Sequence, residues 1–377
     1  MNFFTGGESH GPCLTAIIGG LPSGLSIDLA AIDHDLARRQ SGHGRGGRMA
    51  IETDRAEILA GVIGGRTIGA PVVLRIANRD GSNWKAWWAA SGVDPLTVPR
   101  PGHADYAGMI KYALEDARPV LERASARETA ARTAVGAIAK ALLARFGVRV
   151  FSYVEAIADV ETANADEPPE ALFARAEDSA VRCPNGDVER RMVEAIDAAR
   201  AAGDSLGGRF VVIATGVPVG LGSYVEWSAR LDGRLARAVM SIPAVKGVEI
   251  GPAFENATRR GTTVHDPLLV DSNGTPTRGS NRAGGIEGGM SNGEPIVVRA
   301  AMKPIPTTIS PQRSVDLCSG ERAETEYQRS DVCAVPAASI VGEAMVAWTL
   351  AVSLREKLGG DSLEEMVSHR RAWDLDG

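Results

Sequence analysis

The sequence predicts an α+β fold, a layered sandwich of helices between antiparallel β-sheets, built from two related halves. Segments with the 3.6-residue periodicity of helices alternate with short runs rich in β-branched residues. Two stretches, 64–75 and 288–299, agree without gaps at their paired glycines, a third glycine, a proline, a valine and the closing arginine. The 377 residues contain no linker rich in proline and serine. We therefore expect a single domain over residues 1–377.

Helical periodicity marks four segments, which are 28–40, 124–147, 187–203 and 336–360. In the first of them Leu29, Ile32 and Leu36 share one face, and the second is rich in alanine and ends at Gly147. The last is apolar on most of its surface, so we expect it to pack from several sides in the interior.

Runs of β-branched residues predict strands in five places, which are 14–20, 70–77, 147–154, 209–217 and 295–302. Long loops between them carry most of the 43 glycines. The repeated stretches also have a local explanation, because glycine and proline commonly precede a strand. We expect 161–171 to be a surface loop and 361–377 to be a poorly ordered tail.

Composition argues against several classes of protein. A net charge of −6 and an aromatic content of 5% disfavour nonspecific nucleic-acid binding. The chain shows neither a signal peptide nor 18 consecutive apolar residues, so we expect a cytoplasmic protein. The four cysteines lack CxxC spacing, which argues against a zinc site and predicts reduced thiols.

Three loops place a histidine among glycines, namely His10 in "GGESHGP", His43 in "RQSGHGRGGR" and His103 in "RPGHADY". The histidine proton moves near neutral pH, and glycine lets a backbone approach a ligand closely. A single histidine in a turn is more often a solvated turn residue. The recurrence of the pattern therefore carries the prediction of a site.

Arginines accompany these histidines, and they predict a small anion with several charges. Arg38 and Arg39 end the first helix, and Arg45 and Arg48 follow in the loop. A guanidinium donates two parallel hydrogen bonds to a phosphate or carboxylate. The alternative is that these side chains complement the helix dipole or face solvent. We adopt that alternative for Arg38 alone.

Two further segments leave a functional and a structural interpretation open. Ser125, between Arg123 and Arg127, could hold a phosphate at a helix start or could cap that helix with Glu128. Asp331 could form an ion pair at a helix start or serve as a buried acid or base. The glycine-rich loop before "KPIPT" matches neither a Walker A nor a dinucleotide fingerprint.

Taken together, these segments resemble the successive signatures of the chorismate synthase family, in that family's order. The signatures are "GGESHGP", "RRQSGHGRGGR", "RPGHADY", "RASARETAAR", "SNRAGGIEGGMSNGEPIVVRAAMKPIPT" and "RSDVCAVPAASIVGEAM". "NRDGSNW" and "SIPAVKGVEIG" also resemble family segments. The resemblance runs from about Gly6 to Val352, which is nearly the whole chain.

The resemblance implies a lyase that removes phosphate and a hydrogen from 5-enolpyruvylshikimate 3-phosphate to give chorismate, the last step of the shikimate pathway. It implies reduced FMN (FMNH2), which is required but not consumed, and a homotetramer. The substrate carries roughly four negative charges, which agrees with the arginine-rich loops. Family members either reduce their own flavin with NADPH or depend on an external reductase, and this sequence does not decide between them.

The resemblance also implies roles for individual residues, none of them metal ligands. His10 would protonate the departing phosphate, His103 would sit near the flavin and set its protonation, and Asp331 would relay a proton at the flavin ring nitrogen. The implied substrate-binding residues are Ser9, Arg39, Arg45, Arg48, Arg100 and Arg127. The implied flavin-binding residues are Arg123, Ala124, Ser125, Ala244, Gly288, Lys303, Pro304, Ile305, Pro306, Thr307 and Arg329.

The sequence departs from the family pattern in two places. Pro243 stands where many members have asparagine, and "IGPAF" replaces the more usual "IGDGF". Both departures concern the local flavin contacts. The rival functions are a histidine-dependent phosphatase with His10 as nucleophile and an Arg/Gly-rich nucleic-acid-binding protein.

Overall fold

The computed structural model describes residues 1–47, 52–84, 93–163, 167–272, 274, 276–327 and 330–376. Its helices are α1 Leu29–Gln40, α2 Asp105–Tyr112, α3 Arg118–Arg123, α4 Thr129–Ala144, α5 Pro169–Asp178, α6 Gly186–Ala201, α7 Leu231–Met240, α8 Ala253–Asn256, α9 Gly261–Val264, α10 Val335–Leu358 and α11 Leu363–Asp376. Short 3₁₀ turns lie at Asp80–Trp84, Ala126–Glu128 and Trp227–Ala229.

The strands are β1 Asn2–Gly6, β2 Cys13–Gly19, β3 Ala56–Ala60, β4 Val62–Ile63, β5 Arg66–Thr67, β6 Val72–Ala77, β7 Arg149–Ile157, β8 Val160–Glu161, β9 Gly208–Thr215, β10 Val245–Ile250, β11 Leu268–Val270, β12 Pro276–Arg278, β13 Ile286–Glu287, β14 Met290–Ser291, β15 Ile296–Met302, β16 Arg313–Val315 and β17 Arg322–Glu324. The first large sheet has the order β1-β2-β6-β3 and the second has the order β10-β15-β9-β7-β8. All neighbouring strands in both sheets are antiparallel, as expected.

Two long helices occupy the centre of the molecule. Helix α4 packs on β2 and β6 of the first sheet, and α10 packs on β7 and β9 of the second. The two helices also pack on each other, and α1 contacts both. One large apolar core therefore runs from one sheet through the helices to the other.

A glycine permits the close approach of α4 and α10. A Cβ atom built on Gly136 would lie 2.2 Å from the Cβ of Ala344. Carbon atoms cannot approach so closely, so the helices would have to separate to accept even a methyl group.

Gly136→Ala is therefore expected to lower the free energy of unfolding by about 1–3 kcal/mol, the usual cost of overpacking a core. Urea denaturation measures the change. Gly233→Ala in α7 is the matched control, because no heavy atom lies within 4 Å of its added methyl in the described structure. We expect that control to be neutral or stabilising, since alanine favours helix over glycine. An equal increase in the free energy of unfolding of both variants would contradict the close contact between α4 and α10.

Helix α10 is long and apolar enough to cross a membrane, judged by length and composition. Its most apolar window is 94% buried inside the protein. This helix is the internal element that the sequence predicted at 336–360. No other helix in the described ranges passes the same test.

The predicted elements are found with shifted ends. Each of the five predicted strands overlaps a strand of the two large sheets. The predicted helix 124–147 instead begins as the 3₁₀ turn Ala126–Glu128 and continues as α4. The predicted loop 161–171 includes the end of β8 and the first turn of α5, and its residues 164–166 lie outside the described structure.

The two repeated stretches have the same local structure. Gly64 and Gly65 join β4 to β5 with φ values of 57° and 74°, and Gly288 and Gly289 join β13 to β14 with φ values of 58° and 87°. Two successive residues with positive φ are typical of two-residue hairpin turns. In each case a central strand of a large sheet follows, β6 in one and β15 in the other.

The prediction of a poorly ordered tail is corrected by α11. The hydroxyl of Ser362 accepts a hydrogen bond from the Glu365 amide, and the carboxylate of Glu365 accepts one from the Ser362 amide. These reciprocal bonds form a capping box, which the sequence "SLEE" encodes. Met366 is fully buried and fixes the helix to the core.

The expectation that Arg38 complements the helix dipole is wrong. The Arg38 side chain is buried, and its guanidinium lies 2.9 Å from the Oε1 atom of Glu343 and 2.7 Å from the Oδ1 atom of Asp35. Lys140 pairs with the same two carboxylates. Glu343 lies in the middle of α10 with 1% of its side chain exposed. The predicted surface arginine is therefore part of a buried ion network.

Candidate functional site

Loops from separate parts of the chain meet around a cavity with a volume of about 670 Å³. They follow β1, α1, α3 and β15 and precede α2 and α10. Seven basic side chains line the cavity among the described residues, namely Arg39, Arg45, Arg100, Arg123, Arg127, Arg132 and Lys303, against two carboxylates, Glu128 and Asp331. The lining therefore favours an anionic ligand.

The loop that carries His10 is held by one asparagine. The side-chain amide of Asn78 donates to the carbonyls of Glu8, Ser9 and Gly11, at 3.0, 3.3 and 2.8 Å. The Nε atom of Arg127 donates to the Oδ1 atom of Asn78 at 2.8 Å. The glycine-rich loop is therefore fixed by a buried polar contact to its neighbours.

The His10 ring is held on two sides. Its Nδ1 atom lies 2.6 Å from the Oε1 atom of Glu122 at the end of α3. The ring packs against Trp84, with 4.3 Å between the ring centroids. His10 lines the cavity, so its position is compatible with proton exchange with a bound anion.

Arg39 and Arg127 share one carboxylate. Asp54 lies 2.8 Å from the Nη2 atom of Arg39 and 2.6 Å from the Nη1 atom of Arg127. Burial lowers the pKa of Arg39 to about 10, and the nearby Arg127 and Arg45 guanidiniums act in the same direction. Burial opposes ionisation of Asp54 as well, but Arg39 and Arg127 hold its pKa below the usual range. Arg39 and Asp54 are therefore both charged at neutral pH.

The Nε atom of Arg39 has no hydrogen-bond partner within the described ranges, although it is buried. Glu52 lies 3.9 Å from the Nη2 atom of Arg127 and adds a second carboxylate to Asp54, so the unpaired Nε atom is what distinguishes Arg39 here. A buried donor without an acceptor costs free energy. An anion in the cavity would therefore bind more favourably here than at a fully paired arginine.

Asp331 faces the cavity in an ion pair. Its Oδ2 atom lies 2.7 Å from the Nη1 atom of Arg45, and its Oδ1 atom accepts from the Gly46 amide at 2.7 Å. A Cβ atom on Gly46 would lie 2.7 Å from the Ser330 carbonyl oxygen, so the close approach of the loops requires glycine. Of the two interpretations the sequence left open, the ion pair is present, and Asp331 also lines the cavity.

His103 and Arg100 are organised by Asp105 at the start of α2. The Oδ1 atom of Asp105 lies 2.5 Å from the Nδ1 atom of His103, and its Oδ2 atom accepts from the Nε atom of Arg100 at 2.8 Å. Burial opposes ionisation of Asp105, but hydrogen bonds from His103 and Arg100 hold its pKa well below the usual range. Arg100 also donates to the Thr307 hydroxyl at 3.1 Å.

Ala244 and Lys303 also line the cavity and contribute backbone and cationic groups. Ala244 has a φ of 67°, which is rare for a residue with a Cβ atom, and its carbonyl accepts from the Lys303 amide at 3.0 Å. Burial lowers the pKa of Lys303, and nearby Lys246 adds to this effect. Pro243 lines the cavity beside Ala244.

Ser125 has the capping role that the sequence left open. Its hydroxyl accepts from the Arg127 amide at 3.2 Å and donates to the Ser9 hydroxyl at 3.1 Å. Glu128 instead pairs with Arg132. Ser125 also lines the cavity, so an N-terminal cap and an anion contact are compatible at this residue.

The structure brings most of the predicted site residues to this one cavity. These are His10, His103, Asp331, Ser9, Arg39, Arg45, Arg100, Arg127, Arg123, Ala124, Ser125, Ala244, Lys303, Ile305, Pro306 and Thr307. Gly288 lies elsewhere, in the β13–β14 turn, and Pro304 is not among the lining residues. Arg48 and Arg329 lie outside the described residues. His43, also singled out by the sequence, contacts Asp197 of α6 at 2.7 Å instead.

Sequence reasoning missed the buried partners of these residues. Glu122, Asp105, Asp54 and Asn78 are each no more than 7% exposed. Asp105 follows His103 by two residues in "GHAD", which is a visible signal. Asn78 is the first residue of the family-like segment "NRDGSNW", which is a signal as well. Glu122 and Asp54 are far in the chain from the side chains they contact, so no local pattern could have identified them.

Comparison with known proteins agrees with this geometry. The family model described as chorismate synthase matches residues 1–354. The chorismate synthase of Desulforudis audaxviator is 54% identical over 377 residues, covering 98% of this chain and 97% of the relative. That of Rubrobacter xylanophilus is 55% identical over 368 residues, covering 97% of this chain and 94% of the relative.

A solved structure described as "Crystal Structure of Chorismate Synthase" has a similar fold. It is 42% identical, its TM-score is 0.80, and the match covers 99% of this chain and 96% of that one. Together with the convergence of the sequence signatures on one cationic cavity, these matches show that the chain belongs to the chorismate synthase family.

Proposed function

We propose that this enzyme eliminates phosphate and a hydrogen in a 1,4 relationship from 5-enolpyruvylshikimate 3-phosphate, giving chorismate, in the cavity described above. The observation that carries the proposal is the convergence of His10, His103 and Asp331 on one cavity that seven basic side chains of the described residues also line. The substrate has one phosphate and two carboxylates, about four negative charges at neutral pH. No observation favours a histidine-dependent phosphatase over this lyase.

The arginines would bind and orient the substrate. Arg39 and Arg127 are fixed by Asp54, and Arg100 is fixed by Asp105. A guanidinium that is held by a carboxylate on one side can direct its other N–H groups at a ligand without first losing its own freedom. Ser9 and Arg45 line the same cavity, and Arg48 is proposed to bind the substrate on the family resemblance alone.

His10 would act as the general acid. Its Nε2 atom would donate a proton to the departing phosphate, which stabilises the charge that develops as the carbon–oxygen bond breaks. The packing of the partly buried ring against Trp84 keeps it from rotating away.

His103 and Asp331 would control proton transfer at the bound flavin. His103 is held through its Nδ1 atom by Asp105 and would set the protonation of a bound flavin. Asp331 is held by Arg45 and by the Gly46 amide. Its carboxylate would relay a proton at the flavin ring nitrogen that accepts the substrate hydrogen.

The lining fits a reduced flavin, the cofactor that the family generally uses, and we propose that the flavin is FMN. The proposed contacts from the described cavity residues are Arg123, Ala124, Ser125, Ala244, Lys303, Ile305, Pro306 and Thr307. Contacts from Pro304 and Arg329 are proposed on the family resemblance alone. The cavity of about 670 Å³ has room for two ligands, and basic groups suit the FMN phosphate. These residues would hold the flavin, which when bound would supply electron density for the elimination.

The positions of Pro243 and Gly288 limit how each could contact the flavin. Pro243 lines the cavity but has no side-chain donor, so any flavin contact there is made by backbone groups. Gly288 is not at the cavity of this single chain, so its proposed flavin contact requires a neighbouring chain.

A homotetramer is proposed from the family resemblance and is supported by exposed apolar strands. Phe4 and Ile17 are directly paired on β1 and β2, with 70% and 47% of their surfaces exposed. Burying such a face would remove apolar area from water. Analytical ultracentrifugation should show four chains in each particle, and a monomer at micromolar concentration would contradict the proposal.

The remaining proposals concern the organisation and location of the chain. The matched hairpins before β6 and β15 support two related halves, and the packing of α4 and α10 between the sheets supports a layered sandwich within a single domain over 1–377. We propose a cytoplasmic location and no nucleic-acid or membrane partner, on the charge and composition of the chain.

The direct test is an anaerobic assay of phosphate release from 5-enolpyruvylshikimate 3-phosphate with dithionite-reduced FMN. We expect phosphate and chorismate in equal amounts, and none without flavin. Release without flavin, with water incorporated into the product, would identify a phosphatase. A second arm supplies oxidised FMN and NADPH, and turnover there would show an intrinsic NADP-dependent flavin reductase activity.

A further inference from the structure

We propose that Glu122 is the positioning residue of His10, holding the imidazole proton on Nδ1 so that Nε2 is the nitrogen that exchanges a proton with the leaving phosphate. This inference rests on the proposed role of His10 as general acid. Neither the family signatures nor the sequence patterns assign Glu122 a role.

The contact between the two residues fixes both the backbone and the ring. The Oε2 atom of Glu122 accepts a hydrogen bond from the His10 amide at 2.7 Å, and its Oε1 atom lies 2.6 Å from Nδ1. The backbone carbonyl of Glu122 also accepts from the Ser9 amide at 3.1 Å. Glu122 therefore holds the loop together with Asn78 and sets the rotation of the ring about its side-chain bonds.

Burial makes this contact selective for one arrangement of protons. Glu122 is 4% exposed, and within the described ranges the one basic group at ion-pair distance from it is His10. An ionised carboxylate has acceptors but no donor, so Nδ1 must carry a proton to satisfy it. A neutral imidazole has a single N–H, so Nε2 is then the unprotonated nitrogen.

This arrangement gives the proton transfer one direction. In the imidazolium form both ring nitrogens carry protons, and the Nε2 proton passes to a phosphate oxygen as that oxygen takes the electron pair of the breaking bond. The imidazole is left neutral with its proton on Nδ1, still hydrogen-bonded to Glu122. Solvent protonates Nε2 again before the next turnover.

His103 also has a buried carboxylate beside its Nδ1 atom, but there the Nη2 atom of Arg100 lies 2.9 Å from the same nitrogen. The Nδ1 atom of His103 lies 2.5 Å from Asp105, a carboxylate that is 2% exposed. The two histidines of the cavity are therefore both held at Nδ1 by a buried carboxylate. Asp105 is shared with Arg100, whereas Glu122 serves His10, so Glu122 is the better residue to test.

Glu122→Gln is the sharpest test because glutamine has the same shape. Its Oε1 atom can keep the bond to the His10 amide, but its NH2 group then faces Nδ1 and can only donate. We expect the neutral ring to change to the Nε2–H tautomer and kcat to fall on the order of 100-fold, the scale of general-acid catalysis. The KM for the substrate should not change.

The tautomer is read by NMR on protein labelled with ¹⁵N-histidine, with the His10 signals assigned by their loss in His10→Ala. Wild-type protein must show the Nδ1–H tautomer, and an Nε2–H tautomer there overturns the proposal even if the variant fails to fold. Glu122→Asp keeps two acceptors, so it should retain the Nδ1–H tautomer.

Glu177→Gln is the matched control, because Glu177 is a partly buried carboxylate paired with Arg38 and Arg182 away from the cavity. It should leave the His10 tautomer and kcat unchanged. A Glu122→Gln variant with wild-type tautomer and kcat overturns the role of Glu122. If His10→Ala is also fully active, the general-acid role of His10 fails instead, so the two failures are distinguishable.

Discussion

His10→Ala is expected to lower the rate of phosphate release by about 100-fold or more while reduced flavin remains bound. General-acid catalysis contributes on this scale, because the leaving phosphate otherwise departs with its full charge. The variant keeps the basic side chains that line the cavity, so substrate binding should be largely retained. Anaerobic stopped-flow with reduced FMN measures the rate, and a flavin titration measures binding.

His43→Ala is the control for that experiment. His43 lies in a similar glycine-rich loop, but its ring contacts Asp197 and does not line the cavity. We expect its turnover to be close to that of the unmodified enzyme. An unchanged rate in His10→Ala would remove His10 from the general-acid role, and equal losses in both variants would indicate a loop effect.

Glu343→Gln is expected to lower the free energy of unfolding by about 3–5 kcal/mol near neutral pH. Removing one partner of a buried ion pair leaves the remaining charges uncompensated, which gives losses of this size. Glu343 is 1% exposed and compensates both Arg38 and Lys140. The hydrogen bond from the Ser152 hydroxyl can be kept by glutamine, so the loss reports mainly the charge.

Acid pH should reduce the difference in free energy of unfolding between the unmodified protein and Glu343→Gln. Burial opposes ionisation of Glu343, but Lys140 and Arg38 hold its pKa well below the ordinary 4.5. A carboxyl group with a depressed pKa stabilises the fold above its unfolded pKa and loses that contribution as the pH falls. The stability difference between the unmodified protein and Glu343→Gln should therefore be full above pH 4.5 and shrink below it.

Urea denaturation at several pH values measures this difference. Asp187→Asn is the control, since Asp187 pairs with Arg190 on the surface with 87% of its side chain exposed. Its stability should hardly change at any pH. A difference for Glu343→Gln that does not depend on pH would contradict the assignment of the loss to the buried charge.

Much of the fold could be predicted because its elements have local signals. Leu29, Ile32 and Leu36 mark one face of α1, and Ile32 and Leu36 are buried as expected. The apolar composition of 336–360 predicted an interior helix, and α10 is that helix. The tail helix α11 was missed although Ser362 and Glu365 signal its start, because a capping box precedes only a weak apolar pattern there.

Pairing between charged residues could not be predicted in the same way. Arg38 and Arg39 are adjacent in sequence and end the same helix, yet Arg38 contacts Glu343 and Arg39 contacts Asp54. Adjacent positions on a helix point about 100° apart, so they reach different surroundings. Which carboxylate each one meets depends on elements up to 305 residues away.

The sequence by itself determined the family, the helices and strands of the core, and the histidines and arginines of the site, since motifs and periodicity are local properties of a chain. Only the tertiary structure decided which buried carboxylates hold those cations, with Glu122 at His10, Asp105 at His103 and Asp54 between Arg39 and Arg127. The physical reason is that an ion pair or a hydrogen bond requires atoms within a few ångströms of each other, and packing between distant segments sets those distances.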